Sequence, residues 1–238
     1  MTTFRERLAA VEVKIEAACK RAGRSRRDVR LMAVSKIHPT AAIVEAVQAG
    51  VTLFGENRVQ EFERKSAELA AESIRSGIEV HLIGHLQSNK AAKAAQIFSA
   101  IDSVDSLRLA ERLNDAAAQR GSRLPVLLEI KLSTEETKTG LDRDGAELRD
   151  LLERASDFAS LQVCGLMTVP PFDNNPDTAR ACFRQLRELR HRLSQAYPKL
   201  DLSELSMGMS GDFEIGIEEG STLVRIGTAL FGAREKRT

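Results

Sequence analysis

Eight short runs of apolar and β-branched residues, separated by longer stretches of helix-forming residues, restrict this chain to a small set of folds. They are LMAVSK (31–36), LFGEN (53–57), EVHLIGHL (79–86), AIDSVD (100–105), PVLLEIKL (125–132), LQVCGLM (161–167), ELSM (204–207) and LVRIG (223–227). The intervening segments, such as SLRLAERLNDAAAQR (106–120), are rich in residues that lose little freedom in a helix. Strand and helix in alternation is the pattern of repeated βα units on a parallel sheet. Eight units predict an α/β fold, a single (β/α)8 TIM barrel. A doubly wound open sheet competes, but it usually carries a Gly-rich turn after its first strand, where this chain has SKIHPT (35–40). No composition break or Pro-rich linker divides the 238 residues, so residues 1–238 read as one domain. The loop VPPFDNNPD (169–177) is irregular because its three prolines forbid regular pairing.

Residues 1–24 form an added amino-terminal helix in this reading, since Phe4, Leu8, Val11, Ile15 and Cys19 recur at helical spacing. That stripe is expected to pack on the barrel, with a partner-binding helix as the alternative. The segment is charged throughout and lacks an export or membrane-inserting apolar run. With 35 Lys and Arg against 34 Asp and Glu, the chain has no broad basic field for nucleic acid or acidic lipid. Cys19, Cys164 and Cys182 are widely separated and form no CxxC pair, which fits reduced thiols in a cytoplasmic protein.

Barrel geometry directs attention to the carboxyl ends of the strands, where active sites of this fold lie and where phosphate binds after strands seven and eight. Lys36 closes the first run; the seventh leads into SMGMSGD (206–212); the eighth leads into RIGTALFG (225–232). Closure brings the first strand beside the last. A primary amine leaving a buried strand can lose part of its proton affinity by desolvation, which an aldehyde-trapping nucleophile requires. Ser210 and Thr228 offer hydroxyls, while Gly211 and Gly227 let backbone N–H groups approach an anion. A helix starting near Ser210 would add its positive end. Together these features predict pyridoxal 5'-phosphate held by Lys36 as a Schiff base. Each glycine loop alone is also compatible with an ordinary tight turn.

Arg225 shares strand parity with Gly227 and so faces the barrel axis. A buried guanidinium needs a partner. A pyridine nitrogen is one, and the fixed positive charge would keep that ring neutral and weaken it as an electron sink. A salt bridge to Glu218 or Glu219 is the other. His81 and His85 lie on one predicted strand, too far apart to chelate one ion, and no metal site is expected. Glu56 and Glu129 read as polar barrel or rim residues. The loop STEETKTG (133–140), with Lys131 and Lys138, should project from the same face, as an element that assists cofactor release or binds a second cofactor phosphate, or as a plain solvated loop.

The segments AVSKIHPT, FGENRVQE, HLIGHLQSNK, GLMTVPP, LSMGMSGDF and VRIGTALFG occur in order along essentially the whole chain. In them the sequence resembles the YggS/PROSC family of pyridoxal phosphate homeostasis proteins. The resemblance implies a barrel related to the amino-terminal domain of alanine racemase, with pyridoxal phosphate on Lys36. It further implies phosphate contacts from Ser206, Ser210, Gly227 and Thr228, Arg225 at the pyridine, and lining by Asn57 and Met207.

Alanine racemases, which resemble this barrel, use a tyrosine from an additional domain as a second base. Here the sole tyrosine, Tyr197, lies in SQAYPKL (194–200), where it is expected to end a helix before the seventh strand. Racemization needs an acid and a base on opposite faces of the substrate carbanion, so its absence argues against efficient turnover. His38 or His85 are the substitutes on offer. The reading is therefore a monomeric, cytoplasmic carrier that holds pyridoxal phosphate and passes it transiently to apoenzymes. A pyridoxal-phosphate-dependent amino-acid racemase and a barrel for some other phosphate ligand are the alternatives.

Overall fold

The computed structural model describes residues 2–132, 139–171, 173 and 175–232. In chain order its elements are α1 (Phe4–Arg21), β1 (Arg30–Val34), α2 (Thr40–Gln48), β2 (Leu53–Glu56), α3 (Val59–Ala71), β3 (Glu79–Leu82), α4 (Ala91–Ile97), β4 (Ala100–Val104), α5 (Leu107–Ala117), β5 (Leu124–Lys131) and β6 (Leu141–Asp142). The second half adds α6 (Ala146–Arg154), β7 (Leu161–Met167), α7 (Pro176–Ala196), β8 (Glu204–Met209), α8 (Phe213–Glu218), β9 (Leu223–Ile226) and α9 (Thr228–Phe231). The strands pair in parallel in the order β4-β3-β2-β1-β9-β8-β7-β5, and β4 pairs with β5 to close the ring. This is the eight-stranded TIM barrel that the run pattern predicts. The extra strand, β6, is two residues long and pairs only with the end of β5, at Ile130↔Leu141 and Lys131↔Asp142.

Strand parity divides the core. Val80, Leu82, Ile101, Leu205, Met207, Val224 and Ile226 face outward into the layer between strands and helices, which forms one continuous apolar cluster. Met32, Leu53 and Leu223 form a small separate cluster with Ile83 inside the barrel. Polar side chains share the interior with them: His81, Asp102, Ser206 and Arg225 are all buried.

Helix α1 starts with a capping box, in which the Thr3 hydroxyl accepts from Glu6 N at 3.2 Å and the Glu6 carboxylate accepts from Thr3 N at 2.8 Å. Its stripe Phe4, Val11, Ile15 and Cys19 is buried against the barrel, each large apolar side chain contributing about 1.5–3 kcal/mol. The Phe4 ring lies 5.2 Å from that of Phe231, Arg7 donates to Leu230 O, and Arg24 donates to Ile217 O at 2.8 Å. The helix thus packs on α8 and α9, as its stripe predicts.

Within β7, the close approach of β8 requires glycine at residue 165. A Cβ there would lie 1.9 Å from Glu204 O on β8, at a φ of 156°. Gly165→Ala is expected to destabilise the fold by at least about 3 kcal/mol, lowering the melting temperature by roughly 6 °C or more for a chain of this size. Thermal denaturation followed by circular dichroism checks this.

At the amino-terminal mouth, Arg30, Glu79, His81, Asp102, Cys164 and Glu204 line a cavity of about 350 Å³. Burial alone would lower the His81 pKa, but the Asp102 carboxylate, 3.0 Å from Nδ1, outweighs it and leaves the pKa raised. A raised folded-state pKa contributes stability that is complete below the unfolded value near 6.5 and is lost as pH climbs through the folded value. NMR titration of the His81 ring should give a midpoint above 6.5, and His81→Gln should reduce the fall in stability between about pH 6 and 8.

Candidate functional site

The register of three adjacent strands assembles the site. Residues Arg30 to Ala33 of β1 pair with Leu223 to Ile226 of β9, and Met209 of β8 pairs with Arg225. Their carboxyl ends therefore lie side by side. A Cβ on Gly227 would sit 3.6 Å from the Cβ of Val34, so the turn after β9 abuts the end of β1. Lys36 follows two residues later, half-buried in the turn between β1 and α2. The strand itself stops at Val34, so Lys36 stands beyond it and does not close it.

Ser210 and Gly211 occupy the turn after β8, and α8 begins at Phe213, three residues later than a helix at Ser210 would. The Ser210 hydroxyl accepts from Gly227 N at 3.2 Å and Ala229 N at 3.3 Å. It thereby stitches the loop after β8 to the first turn of α9. Thr228 is exposed at the start of that helix, and a Cβ on Gly211 would meet nothing within 4 Å. Gly211 and the Thr228 hydroxyl are thus both open to the surroundings of the stitched loops.

Arg225 is buried beneath them. Its Nη1 donates to Ser206 Oγ at 2.7 Å and its Nη2 to Thr168 O at 2.9 Å. Among the described residues no carboxylate pairs with it. Glu218 and Glu219, the sequence-based alternatives, pair instead with Arg21, Arg180, Arg184 and Arg187 of the helices outside the barrel. Burial lowers the Arg225 pKa, with Asp102, Asp212 and Glu129 acting against it from a distance. Ser206, fully buried, spends its hydroxyl as the acceptor for Arg225.

Met207 points the other way. Its side chain lies in the outer apolar layer, on the face of β8 opposite Ser206, so only its backbone is available to a ligand near Arg225. Asn57 follows β2 at the same rim, half-buried. Its backbone is pressed against Gly84, where a Cβ would fall 2.4 Å from Asn57 O. His85 Nδ1 lies 2.9 Å from Asp105, and the His38 ring stacks on Phe231 at 4.9 Å. His81 turns to Asp102 at the opposite mouth, so the two histidines of EVHLIGHL have separate partners. Lys138 lies outside the described residues. Next to it Thr139 donates to Glu129, whose carboxyl burial pushes up.

The family profile for the alanine racemase N-terminal domain matches residues 7–235. The pyridoxal phosphate homeostasis protein of Escherichia coli K12 is 42% identical over 238 residues, spanning 99% of this chain and 98% of that protein. The chain belongs to the pyridoxal phosphate homeostasis protein family. PipY of Synechococcus elongatus PCC7942, solved with PLP bound, is 42% identical and superposes with a TM-score of 0.85 over 97% of this chain and 100% of that one. Alanine racemase of Clostridium difficile 630, at 16% identity and a TM-score of 0.71, covers 99% of this chain and 58% of that one, and shares the fold alone.

One group of residues in this family member escapes a sequence reading. Glu56, one of the two carboxylates read as polar barrel or rim residues, is fully buried on β2, and Lys65 of α3 is 3% exposed. Lys65 Nζ donates to Glu56 at 2.8 Å, to Glu61 at 2.7 Å and to the Ser35 carbonyl at 2.9 Å. Burial pushes the Glu56 carboxyl up and Lys65 offsets it, while Glu56 Oε2 stays buried with no hydrogen-bond partner among the described residues. Ile37, just after Lys36, holds a φ of 66°, which costs a β-branched residue about 1–3 kcal/mol. The available signal was Lys65 itself, which shares the inner face of α3 with Val59, Phe62 and Leu69.

Ser210→Ala removes the acceptor shared by Gly227 N and Ala229 N. The expected result is a loss of about 1 kcal/mol, read as a melting shift, together with faster amide exchange at residues 227 and 229.

Proposed function

We propose that this protein holds pyridoxal 5'-phosphate on Lys36 as a reversible Schiff base and releases it to apoenzymes, acting as a single-domain cytoplasmic monomer without efficient catalysis of its own. The observation that carries the reading is the convergence, at one barrel mouth, of a half-buried amine, a buried guanidinium with neutral partners and a loop pair rich in anion donors. The name of the E. coli relative and the PLP-bound PipY structure support the same ligand. The described cysteines are free thiols, which suits a reducing compartment.

When bound, pyridoxal phosphate supplies an aldehyde carbon that takes an amine reversibly, with the carbonyl oxygen leaving as water. The roles of the chain's own groups follow from their chemistry. Lys36 contributes the amine. Ser210, Thr228 and the N–H groups at Gly211 and Gly227 take the phosphate oxygens, where Gly211 leaves the space open. Arg225 would hold the pyridine nitrogen and, being permanently cationic, would disfavour a proton there. Ser206 acts through Arg225 by fixing its guanidinium, Met207 contributes backbone, and Asn57 lines the rim.

A carrier fits the surroundings better than a racemase. The neutral ring that Arg225 enforces is a poor electron sink. Tyr197 caps the carboxyl end of α7, about 30 Å of helix away from the mouth where α7 begins. It stands at the opposite end of the barrel from Lys36. His85 is held by Asp105 and His38 is stacked on Phe231.

Borohydride reduction of the protein after addition of pyridoxal phosphate, followed by peptide mass mapping, should place the adduct on Lys36. Incubation of the loaded protein with a panel of amino acids in deuterium oxide should give no sustained exchange at the α-carbon. An adduct confined to other lysines would remove the attachment site, and Lys36-dependent exchange with turnover would make the protein an enzyme.

A further inference from the structure

We propose that Lys65, bound between Glu56 and Glu61, is a positioning residue that aims the Lys36 side chain, by clamping both peptide groups that flank the Lys36 Cα. The inference rests on the reading that Lys36 carries the cofactor. The Ser35 carbonyl belongs to the peptide bond entering Lys36, and Lys65 Nζ donates to it at 2.9 Å. The Ile37 N–H belongs to the peptide bond leaving Lys36, and Glu61 Oε1 accepts from it at 2.6 Å. The same Glu61 oxygen receives Lys65 Nζ, and Glu56 receives both Lys65 and the Ser35 hydroxyl. Two fixed peptide planes fix the direction of the Cα–Cβ bond between them.

The clamp comes from one helix face. Glu61, Lys65 and Glu68, at helical spacing on α3, take Ile37 N, Ser35 O and Thr40 Oγ1 respectively. They grip the turn from one end to the other. A merely structural role does not account for the composition of this cluster, because apolar side chains of similar volume fill a buried site at no lower stability than an ion pair. Here a buried ammonium, a carboxylate oxygen without a partner and a left-handed isoleucine are all concentrated within two residues of Lys36 in sequence or in direct contact with its neighbours. Unfavourable features collected around one side chain mark a geometry that the surrounding structure holds in place.

The test uses the full chain with Lys65→Met, Glu61→Ala and, as a control on the outer face of α3 where Glu63 pairs with Lys93, Glu63→Gln. Two readouts are taken. In protein without added cofactor, amide exchange at Ile37 should accelerate about tenfold or more in Glu61→Ala, which removes the acceptor of Ile37 N–H, and in Lys65→Met, which frees the Glu61 carboxylate from its anchor, and stay unchanged in Glu63→Gln. With pyridoxal phosphate added, the rate of borohydride-trappable adduct formation on Lys36 should fall by about 10- to 100-fold in both clamp variants, the scale expected for misplacing a reacting group. Glu61 lies at the partly exposed edge of the cluster, so its variant carries the test if Lys65→Met does not fold. Folded clamp variants that load Lys36 at the unmodified rate with Ile37 N–H still protected would overturn the clamp and leave the carrier reading standing. An unmodified chain that gives no adduct on Lys36 would overturn the carrier reading and the clamp with it.

Discussion

The hydrogen-bonded pairing of β1 with β9 is the constraint from which the rest of the site descends. It joins residues from opposite ends of the chain in the register Arg30↔Leu223 through Ala33↔Ile226. Closing so long a loop has an entropic cost that grows only slowly with its length, and the seven other parallel pairings of the ring share it. Once that seam is sealed, Val34 must touch Gly227 and the turns beyond both strands must share one mouth. A slip of one residue along the seam would rotate Arg225 into the apolar outer layer and bring Ile226 inside.

The interior is divided in a way that matches the two ends of the barrel. Arg225, Ser206 and Thr168 form a hydrogen-bonded group below the carboxyl-terminal mouth, and His81 with Asp102 forms another above the amino-terminal one. Asp102 is the largest charge acting in favour of the protonated Arg225, and it also holds His81. A single carboxylate thus holds His81 by a hydrogen bond and acts on Arg225 from farther away. Met32, Leu53 and Leu223 supply the apolar packing between strands at this level.

Much of this was legible from residue order. Eight apolar runs gave eight barrel strands, and the parity of Arg225 and Gly227 correctly put the guanidinium inside. The short β6 was not legible, since two residues carry no period. Parity also carried information that the motif reading did not use: Met207 alternates with Ser206 and so must face the helices. The Glu56–Lys65 pair was hidden for another reason. A charged residue in a sequence reads as solvated unless its partner is visible, and here the partners sit on a strand, a helix and a turn that only tertiary packing unites. The alternative partners for Arg225, Glu218 and Glu219, were near in sequence, yet they lie outside the barrel wall, paired with four arginines of α1 and α7.

The Ser210 hydroxyl sits on two backbone donors, Gly227 N and Ala229 N, in the protein by itself. Any anion arriving at those donors therefore meets an internal competitor of the right chemistry already in the seat. Its net gain is the difference between two sets of hydrogen bonds, not the whole of one, and when it departs the donors are never left bare. A loop built this way trades grip for ease of exchange.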